Sequence, residues 1–158
     1  MFGVIRRLRE HTALLSRRPD EYLGPAVGAE IGEFSATTVD GVTVSRAHLK
    51  GETLVAFFAH DCSPCHRELP NFVEYAGTHP GGRERVLAVV AGNAEEAADF
   101  LTALGPVAEV VLSERDGQLT RAFGVEAFPT LLKVVPGDAG RPVVGENAVD
   151  LSRPALTA

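Results

Sequence analysis

Residues 53–72 read TLVAFFAHDCSPCHRELPNF, and two different periodicities meet inside them. The first seven residues are a continuous apolar run, the pattern of a β-strand covered on both faces. Beyond them Leu69, Phe72, Val73 and Ala76 recur at helical spacing, which predicts a helix over 65–77. Pro70 lies inside that helix and should kink it or cost it a hydrogen bond. Cys62-Ser63-Pro64-Cys65 occupies the junction between strand and helix.

Upstream of this junction, 34–39 and 42–45 are β-rich and flank Asp40-Gly41, a strong hairpin signal. A short turn or helix follows at 46–49 and closes at Gly51. Residues 85–91 (RVLAVVA) form a second buried strand. A helix over 94–104 opens with Glu95 and Glu96, where the dipole favours acids, and ends at Gly105-Pro106. A third strand is expected over 107–112 and a short helix over 116–123, stopped by Gly124. A fourth strand covers 130–135 and turns at Pro136-Gly137, with 141–144 as a fifth, edge strand. Strands alternating with helices predict one α/β domain over 27–158, with helices on both faces of its sheet.

Residues 1–26 differ in character. Five arginines (Arg6, Arg7, Arg9, Arg17, Arg18) and one acid, Glu10, fall within the first 18 residues. Residues 4–15 carry apolar residues near helical spacing between those arginines. That is the pattern of a basic helix at a membrane surface, and equally of a solvated, frayed N-terminal helix. Residues 18–25 read as a linker into the domain. No stretch approaches the roughly 18 apolar residues of a membrane span, and no apolar run of about 7–15 follows a basic start as in a secretory signal.

The 158 residues are 45% apolar and 23% charged, ordinary values for a globular chain. With 15 Lys+Arg against 21 Asp+Glu the net charge is −6, and the basic N-terminus leaves the main body more acidic still. An acidic body without a basic stripe argues against nucleic acid as a partner. The two cysteines stand three positions apart, so they cannot staple a long loop as a disulfide framework does.

A thiol attacks a disulfide as the thiolate, and the unpaired N–H groups and dipole of a helix N-terminus favour that anion. Cys62 sits at such a position, and Cys65, one helical turn on, can close a disulfide with it. In an α/β context this spacing describes a dithiol–disulfide switch.

The run VAFFAHDCSPCHRELPNF (55–72), taken with GVEAFPT (124–130) and VSRAHLKG (44–51), resembles the TlpA-like branch of the thioredoxin superfamily. That branch holds thiol–disulfide oxidoreductases, many of them membrane-tethered, among them ResA-like and MauD-like proteins. The resemblance covers roughly 27–144. It implies a thioredoxin-like fold, a central mixed β-sheet with helices on both faces, preceded by an N-terminal β-hairpin. It implies that Cys62 attacks, that Cys65 resolves, and that Pro129 is a cis-proline facing the disulfide. Ser63, Pro64, Phe128 and Thr130 would line the edge where an extended substrate docks. Glu68 matches an acid that helps move protons; a solvated carboxylate on the first helix is the plain alternative.

The resemblance further implies disulfide-bonded protein substrates, an upstream dithiol donor, and a membrane-associated or extracytoplasmic setting. No metal or organic cofactor is required. Several positions depart from the family. Asp61 stands where Trp is usual, and a carboxylate close to Cys62 disfavours its thiolate. His60 and His66 can oppose this when protonated. Ala56 occupies the place of the buried acid of thioredoxins proper.

Four other readings compete. Cys62-Ser63-Pro64-Cys65-His66 is literally the CxxCH haem-attachment pattern, but the distal Phe-Pro-Thr has no place in that reading. His60, Cys62, Cys65 and His66 are a Cys₂His₂ inventory for zinc or Cu(I), although adjacent helical residues diverge by about 100°. A peroxiredoxin signature would need Pro at 55 and Thr at 59, where Val55 and Ala59 stand. A non-catalytic interaction domain with an idle disulfide is the fourth. His11, His48 and His79 lie in polar or turn contexts and are expected at the surface. Phe57 and Phe58 are expected in the core.

Overall fold

The computed structural model describes residues 24–151; the segment read as a basic helix and most of its linker lie outside the described residues. A hairpin comes first. Strand β1 (Ser35–Thr37) pairs antiparallel with β2 (Thr43–Ser45) across the Asp40-Gly41 turn, where the Thr38 hydroxyl accepts from the N–H groups of Asp40 and Val42. A single 3₁₀ turn, Arg46–His48, leads on towards the main sheet.

That sheet has five strands: β3 (Thr53–Ala59), β4 (Val86–Ala91), β5 (Glu109–Ser113), β6 (Thr130–Pro136) and β7 (Pro142–Asn147), in the order β5-β4-β3-β6-β7. β3, β4 and β5 run parallel, while β6 and β7 are antiparallel to their neighbours. All seven residues of β3 are buried, as a central strand covered on both faces requires.

Among the described residues three helices cover the faces: α1 (Ser63–Gly77), α2 (Ala98–Leu104) and α3 (Gln118–Phe123). The alternation of β3 sends Leu54, Ala56 and Phe58 to one side, against Leu69 and Phe72 of α1 and Phe100 of α2. Val55 and Phe57 point the other way, against Leu119 and Phe123 of α3, with Phe34 and Leu49 closing that layer. Each fully buried Phe contributes about 1.5–3 kcal/mol through removal from water.

Both sheet edges are blunted. Residues 28–31 lie along β7, with the Gly28 N–H donating to the Val144 carbonyl at 2.8 Å and a bridge between Glu30 and Val143. On the far side the Val39 N–H donates to the Val110 carbonyl of β5 at 2.9 Å.

Several expected boundaries shift. α1 begins at Ser63 rather than at 65, because Cys62 caps it and Pro64 falls in the first turn, where a missing N–H costs nothing. α2 begins at Ala98 rather than 94. Its acidic lead-in is spent on a local cap, the Asn93 side chain accepting from the Glu96 N–H and Glu96 from the Asn93 N–H. β7 extends to Asn147, past a bulge in which its own Gly145 is the extra residue opposite the Lys133–Val134 step of β6.

The expectation for His79 is corrected. Its neighbours are turn-like in sequence, but the side chain is only 6% exposed at the end of α1. Burial holds its imidazole below the usual range, against the pull of Glu52. His48 is exposed, as expected, and bonds Ser45.

Candidate active site

Because β3, β4 and β5 run parallel, their carboxyl ends share one rim of the sheet. Antiparallel β6 starts on that rim, so the loop before Thr130 faces the segment after Ala59. Cys62 and Phe128 meet there although 66 residues separate them, the Cys62 thiol donating to the Phe128 carbonyl at 3.6 Å. The Phe128–Pro129 peptide bond is cis.

Cys62 is the N-cap of α1, with extended backbone, and its Sγ accepts from the Cys65 N–H at 3.2 Å. One orphan donor of the helix start is thereby spent on sulfur. Both cysteines are free thiols, Cys62 half-buried and Cys65 fully buried. Burial pushes the Cys65 thiol up to about 12; its hydrogen bond with Cys62 adds to this, while the Ala59 N–H, donating to Cys65 Sγ at 3.4 Å, works against it. At neutral pH Cys65 is therefore a protonated reserve thiol behind a reachable one.

The remaining expected residues divide. Ser63 and Pro64 are exposed at the mouth of α1, and Phe128 and Pro129 are half-buried on the facing loop. Thr130, expected on the docking edge, is buried, and its hydroxyl donates to the Ala127 carbonyl at 2.6 Å. Its side chain closes the turn from inside. Glu68 is half-buried and shares with Pro129 and Leu131 a cleft of about 660 Å³.

Asp61 is exposed, and its carboxylate is held by Arg115, from the loop after β5. What desolvation there is works to raise the carboxyl, but Arg115 and the local backbone bond leave it below the ordinary range. The same guanidinium lies 5.3 Å from the centroid of the Phe128 ring, within cation–π distance. Sequence periodicity gives no hint of Arg115. The sheet order does, since the carboxyl end of a parallel β5 must lie on the cysteine rim.

The flanking histidines turn elsewhere. The His66 ring N–H donates to the His60 carbonyl at 2.7 Å, and the ring packs on Phe100 at 4.7 Å between centroids. The His60 ring faces Glu96 at 3.6 Å and lies over Gly92, whose φ of 144° and missing side chain leave room for it; a Cβ there would come within 2.9 Å of the ring. His60, Asp61, Gly92, Glu96 and Arg115 line a second cleft of about 520 Å³ beside the cysteines. Among the described residues no three His, Cys, Asp or Glu side chains are grouped to hold a metal. The His60, Cys62, Cys65 and His66 set does not converge. Val55 and Ala59 are fully buried apolar residues of β3, so no threonine hydroxyl stands at position 59. Ala56 is likewise buried, with no acid beneath the cysteines. No helix among the described residues is long and apolar enough to cross a membrane.

Comparison with known proteins agrees with this geometry. The sequence profile of the AhpC/TSA family matches residues 27–136. The chain is 28% identical over 110 residues to sporulation thiol-disulfide oxidoreductase A of Bacillus subtilis (strain 168), covering 67% of this chain and 64% of that protein. It thus spans somewhat less than two thirds of that relative's length. A thiol:disulfide interchange protein of the thioredoxin family from Chlorobium tepidum TLS superposes with TM-score 0.57 at 26% identity, over 80% of this chain and 88% of that one. The thioredoxin domain of a thiol-disulfide oxidoreductase from Bacteroides vulgatus gives TM-score 0.61 at 18% identity, over 79% and 89%, which speaks to the fold alone.

Proposed function

Because the chain belongs to the AhpC/TSA family, we propose that it is a thiol–disulfide oxidoreductase that reduces protein disulfides through Cys62 and Cys65. The observation that carries this is the asymmetry of the pair: a reachable Cys62 that receives a helix N–H on its sulfur, and a buried Cys65 whose thiol is pushed up to about 12. The attack begins when the Cys62 thiolate displaces one sulfur of a substrate disulfide. A Cys62–substrate disulfide forms, the substrate S–S bond breaks, and the departing sulfur takes up a proton. Cys65 then gives up its proton and attacks Cys62 Sγ. The Cys62–Cys65 disulfide forms and the second substrate thiol leaves.

A dithiol partner must return two electrons before the next cycle. The extended substrate segment lies along Phe128 and Pro129, beside Ser63 and Pro64. Glu68, on the wall of the cleft next to Pro129, is the carboxylate nearest in role to accept the Cys65 proton. None of these steps calls on a metal or organic cofactor. A peroxidase reading has less support, given Val55 and Ala59. Catalytic amounts of the chain, with excess dithiothreitol as donor, are expected to accelerate reduction of a disulfide-bonded protein well above dithiothreitol alone. A rate equal to dithiothreitol alone sinks the reading.

A further inference from the structure

We propose that Arg115 is a positioning residue for the Cys62 thiol: its guanidinium cancels the Asp61 carboxylate next door and steadies the Phe128 loop that faces the sulfur. The inference rests on Cys62 being the attacking thiol. One guanidinium makes both contacts, an ion pair with Asp61 Oδ1 and a 5.3 Å stack on the Phe128 ring. The Phe128 carbonyl in turn receives the Cys62 thiol. Asp61, Cys62, Arg115 and Phe128 therefore form a closed circuit drawn from three separate segments around the reacting sulfur.

The circuit has a chemical consequence. A bare carboxylate beside Cys62 disfavours the thiolate, and the fold places a fixed positive charge on that carboxylate. The pair is about half exposed, with side-chain accessibilities of 54% and 57%, so it adds little to stability and its effect falls on reactivity. Other ionisable groups in this region are Cys65, His66, Arg67 and Glu68 on α1, His60 at the end of β3 with Glu96 opposite, and Glu114 and Glu126 on the flanking loops. Among the described residues, the ion pair found for Asp61 is the one with Arg115.

The test is the rate of iodoacetamide alkylation at each cysteine, read by mass from pH 5 to 9 on the reduced full chain. Wild type, Arg115→Met, Arg115→Lys, Asp61→Asn and the Arg115→Met/Asp61→Asn double variant are compared, each shown folded by an unchanged unfolding midpoint. Arg115→Met is expected to slow Cys62 about threefold at pH 7 and to move its profile to higher pH, as befits a screened surface charge. Arg115→Lys keeps most of the rate, Asp61→Asn reacts at least as fast as wild type, and the double variant recovers most of what Arg115→Met loses, falling short of wild type by what the Phe128 stack contributes. An Arg115→Met profile identical to wild type overturns the proposal, as does a double variant as slow as Arg115→Met. Should wild-type Cys62 react no faster than Cys65, the functional reading itself fails. With Cys62 faster and Arg115→Met unchanged, only the role of Arg115 falls.

Discussion

Cys62→Ser is expected to bring protein-disulfide reduction down to the rate of the donor alone, a loss of at least about 10³-fold, the scale seen when a nucleophile is removed. Serine supplies no sulfur, so no mixed disulfide can form at this position and Cys65 has nothing to resolve. The variant should still fold. Serine is a preferred N-cap, and its oxygen can accept the Cys65 N–H that Cys62 Sγ accepts at 3.2 Å. Cys65→Ser separates the two steps. Cys62 still attacks, but the resolving thiol is gone, and a substrate adduct on Cys62 accumulates and shows as added mass that dithiothreitol removes. Residual turnover in Cys62→Ser comparable to wild type would mean that Cys65 attacks on its own. Its full burial and raised thiol argue against that.

The second large effect is on stability. Phe58 is fully buried on the central strand and meets Phe72 of α1 edge-on at 5.4 Å and Phe100 of α2 at 5.5 Å. Phe58→Ala removes the ring that joins both helices to the sheet, and a rigid aromatic site of this kind collapses poorly. The expected cost is about 3–5 kcal/mol, which for a domain of this size lowers the melting temperature by about 10 °C or more. Urea unfolding of the reduced protein checks it: the midpoint falls while the slope holds. Val39→Ala, at an exposed hairpin position, is the control and should change stability by under about 0.5 kcal/mol. Equal midpoints for Phe58→Ala and wild type would contradict the packing described for this face.

The strand–cysteine–helix junction was legible because three local signals agree there: seven consecutive apolar residues, the closely spaced Cys62–Cys65 pair that follows them, and a helical apolar stripe from Leu69 onward. β3 accordingly has the bounds its sequence implies. The starts of α1 and α2 were less legible, because capping by Cys62 and by the Asn93–Glu96 pair moves a boundary without changing the apolar period. His79 was misread since burial is a tertiary fact, and the Thr78 and Pro80 beside it advertise only a turn. Thr130 offers the same lesson at the site, its hydroxyl turned inward to Ala127. Arg115 could not be found from spacing at all. It lies 53 residues beyond Cys62 in a polar loop and reaches Asp61 only because β4 stands between β3 and β5 in a parallel sheet.

Cys62 and Cys65 are expected to form a reversible two-electron couple. Equilibrating the full chain in dithiothreitol or glutathione buffers of graded potential, then trapping free thiols by alkylation and weighing the protein, measures it directly. The expected result is a single reversible transition in which both alkyl adducts vanish together, with a midpoint near or below about −250 mV, on the thioredoxin side of the known range. A midpoint near about −120 to −180 mV would reverse the direction of electron flow to that of an oxidase or isomerase. Cysteines that never interconvert across the series would rule out a dithiol–disulfide couple at this site.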